Sequence, residues 1–120
     1  MQSKWRIYTF LYLILLTFAS LKPGDSIPQL WYVELIFNAG HAPAYAILTF
    51  LLIRCFSPSH TRRFITAFIL AFSYGVLMEF VQQLSPGRVA SLGDVLVNTV
   101  GIGIALLWIN LRKNILVSIK

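Results

Sequence analysis

The sequence predicts an all-α membrane protein, with four transmembrane helices in a small antiparallel bundle and both termini in the cytoplasm (N-in/C-in). Three observations lead there: four long stretches nearly free of charge, a mean hydropathy of +0.75, and basic residues gathered in the loops of one side. With 58% hydrophobic against 12% charged residues, the chain lies far from the mixture that keeps a soluble domain's surface wet. Its 120 residues have room for one domain.

A bilayer core of about 30 Å is crossed by roughly 20 apolar residues in a helix. Segments of that kind run over residues 5–21, 35–53, 64–84 and 92–111, and Glu79 and Asp94 are the only acidic residues within them. Their β-branched and aromatic content does not argue for strands, since an open sheet edge cannot stand in lipid and the runs are too long for barrel strands. Orientation follows from Lys and Arg. With the N-terminus inside, the cytoplasmic segments carry Lys4, Arg6, Arg54, Arg62, Arg63, Arg112, Lys113 and Lys120, against Lys22 and Arg88 outside, as the positive-inside rule requires. Trp5 and Trp108 then fall near the inner interface and Trp31 and Tyr32 near the outer one, where aromatic belts form.

The first segment has a second reading. Lys4 and Arg6, an apolar stretch and Thr17-Phe18-Ala19 also resemble a cleavable signal peptide, and its removal would leave three helices. The net charge of +6 does not imply nucleic acid, because no basic patch is interleaved with exposed aromatics. The lone Cys55 forms no intramolecular disulfide and reads as a packing residue at the inner end of the second helix. The Ser57-Pro58-Ser59-His60-Thr61-Arg62-Arg63 segment reads as a solvated loop near anionic headgroups.

Helical positions advance about 100° per residue, which places Glu79, Gln82 and Gln83 on one side of the third helix with Gly75 a turn below. By the same count Ser91, Asp94, Asn98, Gly101 and Ala105 share a face of the fourth helix, and Glu34, Asn38, His41 and Tyr45 share one of the second. At 1.5 Å per residue, His41, Glu79 and Asn98 each lie roughly 8 to 9 Å below the outer ends of their helices. Arg88 hangs above them from the Ser85-Pro86-Gly87 turn. A carboxylate facing lipid is costly, so the stripes are expected to converge on one outward-opening polar pocket. Gly101 and Ala105, at small-x-x-x-small spacing, are expected to let another helix approach closely.

Each residue carries two readings. Glu79 and Asp94 suit a general acid/base pair or a metal half-site, or an internal ion pair with Arg88 that locks the third and fourth helices. His41 suits a proton shuttle or ligand, or a hydrogen-bonded packing residue. Pro43 lacks an N–H and frees the carbonyl of Ala39, which can kink the second helix. Arg88 suits bidentate capture of a phosphate or carboxylate, or a cap on the turn. There is no P-loop, G-x-S-x-G elbow, H-E-x-x-H or C-x-x-C, and no internal repeat of the kind that marks many transporters. One histidine with two carboxylates does not choose among metals. No metal and no cofactor is expected, and Ser91 lacks a base that would make it a nucleophile.

At these residues the chain resembles the VanZ-like family of small bacterial membrane proteins. The likeness is carried by His41-Ala42-Pro43-Ala44-Tyr45 and by Gly75, Glu79, Gln82, Pro86-Gly87-Arg88, Ser91, Asp94, Asn98 and Gly101. The family often has an Asp-Lys pair just before the histidine, where this chain has Phe37-Asn38. The resemblance implies a multi-pass protein of the bacterial cytoplasmic membrane. The family is named for a protein associated with low-level teicoplanin resistance. A phosphotransbutyrylase label carried by some relatives does not transfer, since nothing here resembles a soluble phosphate- and coenzyme-binding fold.

The expectation is an extracytoplasmic pocket for an anionic, lipid-linked or cell-envelope ligand. Arg88 would hold the anion, His41, Glu79 and Asp94 would tune protonation or do acid/base work, and Gln82, Gln83, Asn98, Tyr45 and Ser91 would complete the hydrogen bonds. Two other classes stay open: an enzyme acting on an envelope lipid, and a structural or accessory subunit whose polar cluster only holds the helices together. The lipid bilayer is the one sure partner, and oligomeric state is open.

Overall fold

In a computed structural model, the protein is described over residues 2–21, 31–56, 60–87 and 89–118, with side chains described outside 2, 31–39, 60, 61 and 113–118. It is all-helical, with α1 (Gln2–Ser20), α2 (Trp31–Cys55), α3 (His60–Gln82) and α4 (Leu92–Ser118). The helices overrun most of the apolar segments that announce them. α2 begins at Trp31 and α4 runs on to Ser118, since backbone hydrogen bonding continues past the last apolar turn wherever the next residues tolerate it. α3 likewise starts at His60, so His60, Thr61, Arg62 and Arg63 belong to its first turn instead of to a loop.

The end of α3 comes earlier than the apolar run suggests. Gln83, Leu84 and Ser85 donate to the carbonyls of Phe80, Val81 and Gln82 at 3.2, 3.1 and 3.0 Å, an i to i−3 pattern that tightens the last turn and stops the helix. Pro86 then cannot continue it, and Gly87 takes φ 78°, a left-handed value open to glycine without a steric cost. The pair supplies what a tight reversal needs at its two central positions.

α2 is the hub. It packs on each of the other three helices, most extensively on α4, while α1 and α4 do not share an interface among the described residues. Its buried side chains Tyr45, Leu48, Thr49, Leu52 and Ile53 repeat at helical spacing and meet Leu16 of α1, Ala67 and Ala71 of α3 and Ile102 of α4. Small residues line the seams. On α3 the buried positions Ala67, Ala71, Gly75 and Glu79 follow one another at four-residue spacing, one continuous stripe that passes from small apolar groups to a carboxylate. On α4, a methyl group added at Gly101 would collide with the Ala42 carbonyl and stand 2.8 Å from the Ala42 carbonyl carbon. The close approach expected of Gly101 is therefore made with α2.

Hydroxyls fasten α1. Thr9 Oγ1 lies 3.0 Å from Cys55 Sγ, Tyr12 donates to the Ala44 carbonyl at 2.9 Å, and Thr17 Oγ1 lies 2.9 Å from the Tyr74 hydroxyl. Ser85 Oγ donates to the Leu21 carbonyl at 3.4 Å, joining the end of α1 to the α3–α4 turn. Cys55 is buried. α2 stays helical through Pro43.

The outside of the bundle is apolar. Phe10, Leu11, Leu15 and Phe18 of α1, Ile65, Ile69 and Phe80 of α3, and Leu96, Val100, Ile104 and Leu107 of α4 are exposed, while Thr49, Glu79, Gln82 and Asn98 are buried. This is the reverse of what water selects and what lipid permits. Arg62–Gln82 and Leu92–Arg112 are long and apolar enough to cross a membrane, and Gly40–Cys55 is a shorter apolar stretch. At one end of the bundle the Arg54 guanidinium sits 4.7 Å over the Trp5 ring, and that of Arg112 sits 5.5 Å over Trp108, so these basic and aromatic residues do gather together. The side chains of Trp31 and Tyr32, expected at the other interface, lie outside the described residues.

Replacing Gly101 by alanine is expected to lower the stability of the detergent-solubilised bundle by about 1–3 kcal/mol, the range for overpacking a closed contact. Gly103→Ala, whose added methyl meets nothing within 4 Å, is expected to leave the unfolding transition in place or raise it. Equal effects from the two substitutions, measured by thermal unfolding, would show that the α2–α4 seam is not closed at Gly101.

Candidate functional site

The polar side chains of α3 and α4 meet where the α3–α4 turn brings the two helices together. Ser91 opens α4. Its hydroxyl accepts the Asp94 N–H at 3.3 Å and its carbonyl accepts the Val95 N–H at 3.3 Å, which makes it the N-cap. The run Ser91-Leu92-Gly93-Asp94 has the form of a capping box, in which the acidic side chain three residues on returns to the N–H of the cap residue. Here that N–H is taken from elsewhere: Ser91 N donates to Glu79 Oε2 at 3.1 Å. A carboxylate from α3 thus completes the cap of α4, and the partly buried Asp94 keeps its own carboxylate out of that bond.

Electrostatics favour the arrangement. The first turn of a helix presents unpaired N–H groups and the positive end of its dipole, and a negative group there is stabilised. Glu79 is only 4% exposed, and a buried carboxylate is tolerable only where its oxygens find donors. The α4 N-terminus supplies one.

One turn below Glu79, Gly75 admits side chains from both neighbouring helices. Its missing methyl group would stand 3.1 Å from the Tyr45 ring and 3.4 Å from Asn98 Nδ2. Tyr45 of α2 and Asn98 of α4 therefore both close on α3 at its position without a side chain. Asn98 is 3% exposed, and neither its Nδ2 nor its Oδ1 has a hydrogen-bond partner among the described residues. Leaving such an amide unsatisfied costs about 1–3 kcal/mol per polar group.

The nine expected site residues divide as follows. Glu79, Ser91, Asp94, Asn98 and Tyr45 are brought together around Gly75 and the start of α4. Gln82 is buried on the last turn of α3, whereas Gln83 lies beyond the helix end and is exposed, because the tightened turn swings it off the stripe it would share with Glu79. His41 is partly buried on α2, directly before the Ala42 that packs on Gly101. Arg88 lies outside the described residues, as do the side chains of Glu34 and Asn38. Among the described residues no three His, Cys, Asp or Glu side chains gather as a metal-ligand set, so His41, Glu79 and Asp94 do not form one.

Two features escape the sequence reading. The cap role of Ser91 was signalled by Ser-x-x-Asp ahead of an apolar run. The inward face of α1, with the hydroxyls of Thr9, Tyr12 and Ser20 flanking the apolar Leu16 at three- and four-residue spacing, was visible by the same periodicity that marks the other stripes.

Four helices with an apolar exterior and buried polar side chains define a helical membrane protein. Residues 2–113 match the VanZ/LLP1 family, and the chain belongs to it. No curated protein and no solved structure matches it.

Glu79→Ala is expected to expose the Ser91 N–H and speed amide hydrogen exchange through residues 91–95, with a stability loss of about 1–2 kcal/mol, as for lost N-caps. Glu79→Gln keeps an acceptor oxygen and is expected to preserve most of the protection. If Glu79→Ala leaves exchange in the first turn of α4 unchanged, the cross-helix cap is wrong.

Proposed function

We propose that the chain crosses the membrane four times with both termini in the cytoplasm, and that the polar cluster at the α3–α4 turn is the floor of an extracytoplasmic site for an anionic cell-envelope or lipid-linked molecule. The observation that carries this reading is Asn98, a buried amide whose donor and acceptor are both without a partner among the described residues. A group so costly to bury gains by meeting a polar ligand from outside the protein. Arg88, next in the chain to the Pro86-Gly87 turn, supplies the positive charge that selects an anion. Gln82, Tyr45 and Ser91 offer further hydrogen bonds, and His41, Glu79 and Asp94 set the protonation of the site. In a bacterial envelope such a protein would alter tolerance to glycopeptides, teicoplanin among them.

A second reading has an observation of its own. The bond from Ser91 N–H to Glu79 gives a buried carboxylate a purely architectural use, as expected of a structural or accessory subunit.

Full-length protein purified in nanodiscs separates the two. If the site binds an anion, anionic lipids extracted with the wild-type protein are expected to be enriched over the host membrane. Arg88→Ala or Asn98→Leu is then expected to lower that enrichment about tenfold, the worth of one charge-assisted bond, and to return teicoplanin sensitivity to that of cells lacking the protein. Enrichment and sensitivity that stay at wild-type values, with only thermal stability reduced, would assign the cluster to architecture. Labelling of a cysteine placed at Gly87 from the cytoplasmic side alone would overturn the orientation.

A further inference from the structure

At the opposite end of the bundle from the Ser91 cap, α2 and α4 enclose a groove of about 250 Å³ between Ala46, Ile47 and Phe50 on one side and Ile104, Ala105 and Trp108 on the other. Its lining is apolar. The two alanines set its depth, since larger side chains at either place would fill it, and the two rings wall its far end. Each ring carries a guanidinium one turn further along its helix: Arg54 lies 5.6 Å over Phe50, and Arg112 lies 5.5 Å over Trp108. Both arginines are exposed. The rings hold them by cation–π attraction while their N–H groups remain available.

The shape and the charge select one occupant. The volume falls below the 300–1,000 Å³ of pockets that hold drug-sized ligands, and a helix of about 10–12 Å diameter cannot enter it. A single flexible hydrocarbon chain fits an apolar slot of this size. The two guanidinium groups, each held over a ring that lines the groove, supply the positive charge that calls for a phosphate at the head of that chain. We propose that this groove seats one acyl chain of an anionic phospholipid, whose headgroup is held by Arg54 and Arg112. The site is separate from the polar cluster and does not depend on what that cluster binds. It also gives the basic residues at this end of the bundle a use beyond orientation: α2 and α4, joined tightly at Ala42 and Gly101, diverge just enough below that point to admit a lipid tail, which then becomes part of the seam.

The test uses the full chain in phosphatidylcholine nanodiscs with Trp5→Phe and Trp31→Phe, which leave Trp108 as the single indole and keep an aromatic ring under Arg54. Brominated phosphatidylglycerol and brominated phosphatidylcholine are added in parallel at equal low mole fraction, and quenching of Trp108 is read. The anionic lipid is expected to quench at roughly 25-fold lower mole fraction than the zwitterionic one, about fivefold from each guanidinium. Arg54→Gln with Arg112→Gln is expected to reduce that preference about fivefold for each guanidinium lost, and Ala46→Leu to abolish it by filling the groove. Should the double variant fail to fold, salt titration of the Trp108 protein replaces it, with the preference expected to shrink as ionic strength rises. Equal quenching by the two lipids, or a preference untouched by both the arginine changes and salt, overturns the proposal. So does quenching by neither lipid together with Trp108 shielding that grows with protein density, which would put a second copy of the chain in the groove.

Discussion

The hydrogen bond from Ser91 N–H to Glu79 fixes the register on which the half of the bundle next to the α3–α4 turn depends. A helix is a rigid ruler at 1.5 Å per residue, so once Glu79 is tied to the N-cap residue of α4, everything further along both helices is placed. Gly75 falls a turn below on α3, opposite Asn98 two turns along α4, and Gly101 falls a turn beyond that, against the Ala42 carbonyl of α2. The Pro86-Gly87 reversal brings the two helix ends near each other, but a turn alone permits several rotations about the helix axes. The carboxylate chooses among them. It does so in a medium where an unmet N–H is far more expensive than it would be in water.

Below that point the bundle is held by closeness. Ala67 and Ala71 on α3 and Gly101 on α4 contribute almost no apolar volume, yet they are buried. What they provide is access of one backbone to another, which is how helices associate when the surrounding solvent is as apolar as their own side chains. α1 is attached in another manner, through hydroxyls that bridge to α2 and α3. Each of Thr9 and Thr17 also donates to the carbonyl four residues earlier in its own helix, at 2.8 and 2.7 Å, so these hydroxyls stay satisfied while serving both partners.

Much of this was legible in the sequence because lipid imposes long, simple patterns. Segments of roughly 20 apolar residues mark helices, and the stripes of Glu79 with Gly75 and of Asp94, Asn98 and Gly101 follow from periodicity alone. Helix ends were less legible. α3 stops at Gln82 since three successive i to i−3 bonds tighten it, and no composition rule distinguishes that from one more α turn, so Gln83 was expected on a face from which it is turned away. The role of Glu79 was hidden for a different reason. A capping box pairs Ser91 with Asp94 in sequence, and only three-dimensional proximity shows a residue twelve positions earlier taking the bond. That Gly101 accommodates a neighbour was readable. That the neighbour is the carbonyl of Ala42 was not, as spacing says nothing about which helix arrives.

The inverted packing carries a consequence for how this protein tolerates change. In a water-soluble bundle the large inner side chains are the constrained ones and the surface drifts freely. Here Phe10, Leu15, Leu77, Phe80 and Leu96 face outward, and any of them can exchange with another apolar residue so long as the surroundings stay hydrocarbon. The intolerant positions are the buried Ala67, Ala71, Gly75 and Gly101 and a few polar groups, and at Gly101 a single added methyl displaces a neighbouring backbone. A substitution map of the chain would therefore pick out its smallest residues, and reading it with the habits learned from soluble proteins would mistake the membrane face for the core.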